Sequence, residues 1–310
     1  AEGNPFLLEE LLVYLHNLGT DLRNPAVIAD ISLPDSLQRL VLSLLDQLPE
    51  SQKITVKVAS VLGRIFRAAW LWGVYPQLGA PARVHKDLEL LCRQELLQAD
   101  LGEDELTYVF RQMITQNVTY ETLPLALKAT LHEQIALYIE NRYSSDVERY
   151  LDLLAYHFDQ TENDEKRRHY LCRAGQAAQD IYANEAAIDY YRRVLPLLEG
   201  STRPPVLMKL GQVLELVGQW DEAAACYVEA LTVSQAADVR ETNTQAQIAI
   251  GEIQRKRGNF GVAASWFDQA YGAAQASGDQ PGMAKALICN GTLAAQQGDY
   301  AAATSQYEQS

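Results

Sequence analysis

Apolar residues recur along nearly the whole chain at the three-to-four-residue spacing of an amphipathic helix rather than with the strict alternation of a strand. Phe6, Leu7, Leu8, Leu11, Leu12 and Leu15, with Glu9 and Glu10 opposite, predict a helix over 5–18 that Pro5 opens and Gly19 ends. Asp35 or Ser36 caps a second helix running to Leu48, before Pro49, and a third spans Glu50 to Leu62 and stops at Gly63. Helices are expected over Arg64–Tyr75 and Val84–Gln98, separated by the Pro76–Pro81 loop, then over Arg111–Glu121 and Pro124–Tyr143. One stretch departs from this period. Leu97-Gln98-Ala99 and Leu106-Thr107-Tyr108-Val109-Phe110 flank the turn-rich Asp100 to Asp104, which predicts a two-stranded hairpin. From Asp146 the pattern is helical throughout, with segments near 147–158, 165–182 and 184–198 forming an irregular first set.

A second periodicity is laid over the first. Gly211 and Ala223, Gly251 and Ala263, and Gly291 and Ala303 each lie twelve residues apart, and an aromatic follows four further on: Tyr227, Phe267, Tyr307. The glycines are 40 residues apart, so the copies are in register. Gly175, Ala187 and Tyr191 supply an earlier copy whose linker is shorter, since Gly175 precedes Gly211 by 36 residues; Pro204 and Pro205 punctuate the join. Self-similarity of this length marks stacked helical hairpins, each burying its apolar face only against a neighbour. A hydrogen or methyl at the small positions lets helices approach closely, where a larger group would overpack at a cost of about 1–3 kcal/mol.

These quoted positions, with Leu210, Ala230, Ile250 and Ala270, resemble the tetratricopeptide repeat family over 146–310. In that family the aromatic fills the space between hairpins, and the first helix of each hairpin lines a concave groove. Carried over copy by copy, the resemblance implies a partner-binding groove of Gln212, Glu215 and Leu216, then Gln245, Ile248, Glu252, Arg255 and Lys256, then Lys285, Ile288, Thr292 and Gln296. These residues form a mixed surface without a concentrated basic clamp. The implied ligand is a helix or extended protein segment held by apolar and amide contacts, including another domain of the same parent.

In the first half, helices followed by a hairpin give the element order of a winged-helix module. Gly3 to Leu11, Leu33-Pro34-Asp35-Ser36-Leu37, Ala59 to Arg64 and Tyr108-Val109-Phe110-Arg111 resemble the region just after the nucleotide-binding core of bacterial AAA/STAND-like signal-transduction ATPases, which are often joined to class III adenylate or guanylate cyclases, protein kinases or transcription activators. The resemblance implies a mainly α fold: the end of an ATPase helical lid over 1–32, a winged-helix-like spacer over 33–145, and a right-handed α-solenoid of about four tetratricopeptide hairpins, truncated at its C-terminus, over 146–310. Where related chains often carry a nucleotide-sensing histidine, the aligned residue is Gln112, which hydrogen-bonds a phosphate but carries no charge.

Composition narrows the functions. The 310 residues carry a formal charge of −14 and are 48% hydrophobic. The charge is shared evenly between the halves, so no basic arm points to nucleic acid or to an anionic membrane. Cys92, Cys172, Cys226 and Cys289 are widely spaced, as expected of small buried hydrophobes in a reducing, cytoplasmic compartment. The densest apolar run, Ala68 to Tyr75, is too short to span a membrane. The chain reads as a fragment of a longer protein whose last hairpin, with Ala301, Ala302, Ala303 and Tyr307 unpartnered, is open to self-association.

No enzyme constellation emerges. No G-x-x-x-x-G-K-[ST] loop is present, so ATP and Mg are expected only in the parent, and no cofactor or metal within this fragment. His132-Glu133 begins like a zinc-protease helix, but position 136 is Ala, and His132 is expected on a helix surface or core edge. Glu9 and Glu10 diverge by about 100 degrees on a helix and form no acid/base pair. A reading helix over Val84–Gln98 would set Lys86 and Arg93 against Asp87, Glu89 and Glu95, which opposes DNA contact. The expected function is a non-catalytic regulatory and protein-interaction module; the alternative is part of a transcriptional regulator whose DNA-binding domain lies elsewhere.

Overall fold

The computed structural model describes residues 37–100, 106–237 and 239–310. The expected helix over 5–18, the 1–32 lid and the cap at Asp35 or Ser36 fall outside them. The chain divides between Glu162 and Asn163 into two compact units.

The first unit begins with α1 (Leu37–Gln47) and α2 (Glu50–Leu62). Gly63, at φ 120°, ends α2 with a backbone that side chains with a Cβ avoid. The next residues correct the expectation of a helix from Arg64: Ile65–Arg67 is a strand, β1, and α3 covers only Ala68–Val74. The physical reason is alternation. Phe66 points inward, 2% exposed, between Tyr108 and Phe110 (ring centroids 6.0 Å from each), while Ile65 faces out. A β-branched and an aromatic residue released by a glycine pair more favourably with a waiting edge than they extend a helix. A short 3-10 turn (Pro76–Leu78) leads to α4, which runs over Pro81–Arg93 rather than 84–98.

The expected hairpin is present as β2 (Leu97–Asp100) and β3 (Thr107–Phe110). The sheet is antiparallel in the order β1-β3-β2, with Phe66 opposite Tyr108 and Leu97 opposite Phe110. Two helices follow, α5 (Met113–Glu121) and α6 (Leu125–Arg142), and after a 3-10 turn at Val147–Tyr150 comes α7 (Leu151–Asp159). The helix expected near 147–158 therefore closes the first unit rather than opening the repeat array.

The second unit is four helical hairpins: α8 (Asp164–Asp180) with α9 (Asn184–Val194), α10 (Arg203–Leu216) with α11 (Trp220–Ala236), α12 (Arg240–Lys256) with α13 (Phe260–Ser277), and α14 (Gln280–Gln296) with α15 (Tyr300–Gln309). Pro204 and Pro205 sit in the first turn of α10, where a missing N–H costs nothing. Each repeat glycine meets the aromatic of its own second helix. A Cβ built on Gly175 or Gly291 would lie 2.7 Å from the ring of Tyr191 or Tyr307, and one on Gly251 2.5 Å from Phe267; Gly211 is closed in the same way by Tyr227. The ring also reaches onward. Phe267 packs with Ile248, Ala263, Ala270, Ala286, Cys289 and Leu293, so it serves its own hairpin and the next.

The turn inside each hairpin is also repeated. The N–H of residues 183, 219, 259 and 299 donates to the carbonyl five residues back (Ala178, Leu214, Gln254 and Ala294) at 2.8–3.0 Å, closing the first helix as a Schellman motif. That closure needs a left-handed residue just before the donor. Gly218, Gly258 and Gly298 supply it with φ of 81°, 79° and 83°; in the first hairpin the position is Tyr182, at φ 59°.

Candidate functional site

The first helices α10, α12 and α14 present successive faces to one concavity of about 590 Å³ in the second unit. Among the residues expected to line a groove, Gln212, Glu215, Gln245, Ile248, Glu252, Arg255, Lys256, Lys285, Ile288 and Thr292 border it. Leu216 and Gln296 do not. They are the last residues of α10 and α14, and Leu216 is 62% exposed. Helical spacing places Gln212 one turn after Met208, which also lines the concavity and was available to the same periodic reading. Tyr227 was not: it belongs to a second helix and reaches the space over Gly211.

The lining side chains hold one another. The Arg255 guanidinium donates to both carboxylate oxygens of Glu252, from Nε at 3.1 Å and from Nη2 at 2.8 Å. That bond raises the Arg255 pKa further. Lys256 Nζ, from α12, donates to Glu215 on α10 at 2.7 Å, and the Tyr227 hydroxyl donates to the same carboxylate at 2.6 Å. Burial, and then this bond, push the Tyr227 pKa up. Lys285, on α14, has no ion pair with a described residue and stands one turn before Ile288, which is 46% exposed. Ile248 differs in kind: it is 3% exposed and part of the core beneath, so it forms the floor of the groove rather than a free contact. Burial, with Glu252 nearby, pushes the Cys289 thiol up to about 11, so at neutral pH it is a protonated apolar lining group. All four cysteines are free thiols; Cys289 is buried and Cys92, Cys172 and Cys226 are half-buried.

In the first unit Gln112 is half-buried at the start of α5, where its extended backbone (φ −124°, ψ 138°) carries the chain from β3 into the helix. The expectation for His132 is overturned. It is fully buried, its Nδ1 lies 2.8 Å from Nδ1 of His157 on α7, and its Nε2 lies 3.0 Å from the Tyr120 hydroxyl on α5. A glutamate neighbour and a missing second ligand could not reveal this, because the partner lies 25 residues downstream on another helix.

The geometry thereby defines a mainly helical array of repeated hairpins with a concave face. Residues 203–276 match the family model for the tetratricopeptide repeat. No curated protein matches the chain. Among solved structures, BtubC (BKLC) from P. vanneervenii is similar at 12% identity with a TM-score of 0.47, covering 60% of this chain and 79% of that one. A MamA fragment (41-end) from Desulfovibrio magneticus RS-1 is 20% identical with a TM-score of 0.41, over 58% of this chain and 92% of its own. Aspartyl phosphate phosphatase F from Bacillus subtilis is 13% identical with a TM-score of 0.47, over 88% of this chain and 67% of its own. Among the described residues no helix is long and apolar enough to cross a membrane.

Proposed function

We propose that the second unit is a docking module whose groove takes a protein segment, within a larger regulatory protein that performs its chemistry elsewhere. The observation that carries this reading is the convergence on one concavity of polar and apolar side chains from three successive first helices. Exposed amides (Gln212, Gln245), a hydroxyl (Thr292), Lys285 and Ile288 offer directional bonds beside an apolar anchor, the mixture that recognises an extended or helical segment. Nothing in the groove resembles a nucleophile with a base: its thiol is held protonated and its carboxylates are engaged by cations.

For the first unit we infer a winged-helix-like spacer. A helix, strand, helix, helix and two further strands, with sheet order β1-β3-β2, support that reading. On α4, Asp87 and Glu89 offset Lys86 and Arg93, and Asp87 is buried against the Ser51 hydroxyl at 3.2 Å, which favours a structural coupling role over DNA reading. The parent that fits best is a multidomain signalling ATPase of the cyclase-associated kind, acting in the cytoplasm; Gln112 would be its sensor position, and a transcriptional regulator remains the second reading.

The groove is tested with peptides selected from a phage-displayed random library on the full chain and then measured by fluorescence anisotropy. Lys285→Glu and Ile288→Asp, both at exposed positions, should each weaken the selected peptides by about tenfold or more. Peptides that bind both variants as well as the parent chain would overturn the groove reading.

A further inference from the structure

The four hairpins are internal controls for one another, and the first departs from the rest at its turn. Gly218, Gly258 and Gly298 occupy the left-handed position of the closing motif, but the first hairpin places Tyr182 there. A bulky residue with a Cβ is disfavoured in that conformation. Tyr182 and the adjacent Ile181 are each 76% exposed, and no described hydrogen bond or ring contact engages the Tyr182 side chain. A strained, exposed aromatic beside an exposed isoleucine is the signature of a contact made with something else.

The surroundings of this tip say what that something is. Asp180 precedes the pair and Glu185 lies in the first turn of α9, both exposed and neither ion-paired to a described residue, so the apolar tip is flanked by negative charge. The complement is present on the same unit. The groove carries Arg255, Lys256 and Lys285 against Glu215 and Glu252, a cationic surplus in a chain whose net charge is −14. Lys285, with no ion pair to a described residue, stands beside the exposed apolar surface of Ile288. Acid-flanked apolar tip and cation-flanked apolar groove are matched in both respects, and every copy of the chain carries both.

We propose that the protein self-associates by seating the Ile181–Tyr182 tip of one copy in the α10–α12–α14 groove of a second, with Asp180 or Glu185 meeting Lys285. The contact joins two different patches, so it is heterologous in each direction. It rests on the groove being a docking surface, and makes the tip a competitor for any other segment that enters it.

Sedimentation velocity of the full chain over a range of micromolar concentrations, at about 0.15 M salt so that long-range repulsion between acidic chains is screened, tests the proposal. The average mass should rise with concentration. Tyr182→Gly should weaken association about tenfold while raising the thermal midpoint, because glycine relieves the backbone and removes the anchor; a purely structural tyrosine would not move the two readouts in opposite directions. Lys285→Glu should weaken association, and adding Asp180→Lys to it should restore it. A chain that stays monomeric throughout overturns the proposal, as does association that ignores either Tyr182→Gly or Lys285→Glu. If Lys285→Glu abolishes association and Tyr182→Gly does not, the tip is wrong while the groove reading stands; the reverse result removes the groove as receptor.

Discussion

Mild acid should loosen the first unit through His132 and His157. Both imidazoles are fully buried, and their Nδ1 atoms lie 2.8 Å apart, a distance that accommodates one shared proton and no second. The other ring nitrogen of His132 is engaged by Tyr120, whereas Nε2 of His157 is buried without a partner. Lys128, one turn earlier on α6 and held by Glu121 of α5 at 2.8 Å, adds a positive charge that opposes protonation; Tyr156 of α7, whose ring meets His132 edge-on, offers none to offset it. Burial, then Lys128, lower His132 to about 4, and burial, then His132, lower His157 to about 3. In the unfolded chain both titrate near 6.5. The folded state therefore has its full stability above pH 6.5, and loses it as the pH falls from there toward the folded values, because only the unfolded chain takes up protons in that window. At about pH 5.5 each histidine costs about 1.4 kcal/mol, so the pair removes about 3 kcal/mol, a large share of the stability of one domain. Urea titration at about pH 7 and about pH 5.5, with hydrogen exchange across α6 and α7 to localise the effect, measures it. His132→Leu/His157→Leu, which replaces both partners, should flatten the dependence. Equal stability of the parent chain at the two pH values, or an undiminished fall in the double variant, would refute the reasoning.

Two further substitutions probe the repeats. Gly251→Ala should destabilise the second unit by about 1–3 kcal/mol, since its Cβ would lie 2.5 Å from the Phe267 ring, while Gly272→Ala, with nothing within 4 Å in the middle of α13, should stabilise it by about 1 kcal/mol; thermal or urea unfolding reads both, and equal signs would contradict the packing. Tyr227→Phe should cost about 1–3 kcal/mol by removing the charge-assisted bond to Glu215 without leaving a cavity, and an unchanged urea midpoint would show that Lys256 alone satisfies that carboxylate.

The sequence made the second unit legible because its signal is repeated. Glycine, alanine and aromatic at fixed offsets fix the hairpin register, and the inward positions that the family resemblance implies, carried over in that register, include ten residues that border the concavity. What spacing misses is that one repeat position need not behave alike in every copy: Leu216, Lys256 and Gln296 each end the first helix of their hairpin, and only Lys256 borders the concavity. It also misses depth, since Ile248 and Ile288 occupy corresponding places and only the first is covered. The first unit was less legible because its informative contacts are unique and distant. β1 has three residues, too few for a period, and exists only because β3, more than forty residues later, offers it an edge. The buried histidine pair likewise joins two helices that nothing in the local sequence connects.

Comparison of the four hairpins also shows how the core dictates the chemistry of the groove. A tyrosine buried over the repeat glycine must find an acceptor for its hydroxyl. In the first hairpin Tyr191 donates to Gln179 at 2.7 Å, and in the second Tyr227 donates to Glu215 at 2.6 Å; both acceptors stand four residues after the glycine. In the third, the ring is Phe267, no hydroxyl needs satisfying, and the same position holds Arg255, a group with no acceptor to offer, which turns instead to Glu252, one residue after Gly251. In the fourth, Tyr307 returns while the position four beyond Gly291 is Ala295, and the hydroxyl meets Thr292 at 3.2 Å, again one residue after the glycine. In the first three hairpins the exchange leaves the buried ring satisfied, whereas Tyr307 is 44% exposed and its hydroxyl is also open to solvent; along the series the groove residues change from Glu215 to Arg255 and from Glu252 to Thr292. The order of charges along the concave face is thus constrained from beneath. A substitution that alters what the groove can bind at these positions must first leave the aromatic under it with a partner, or with no hydroxyl that needs one.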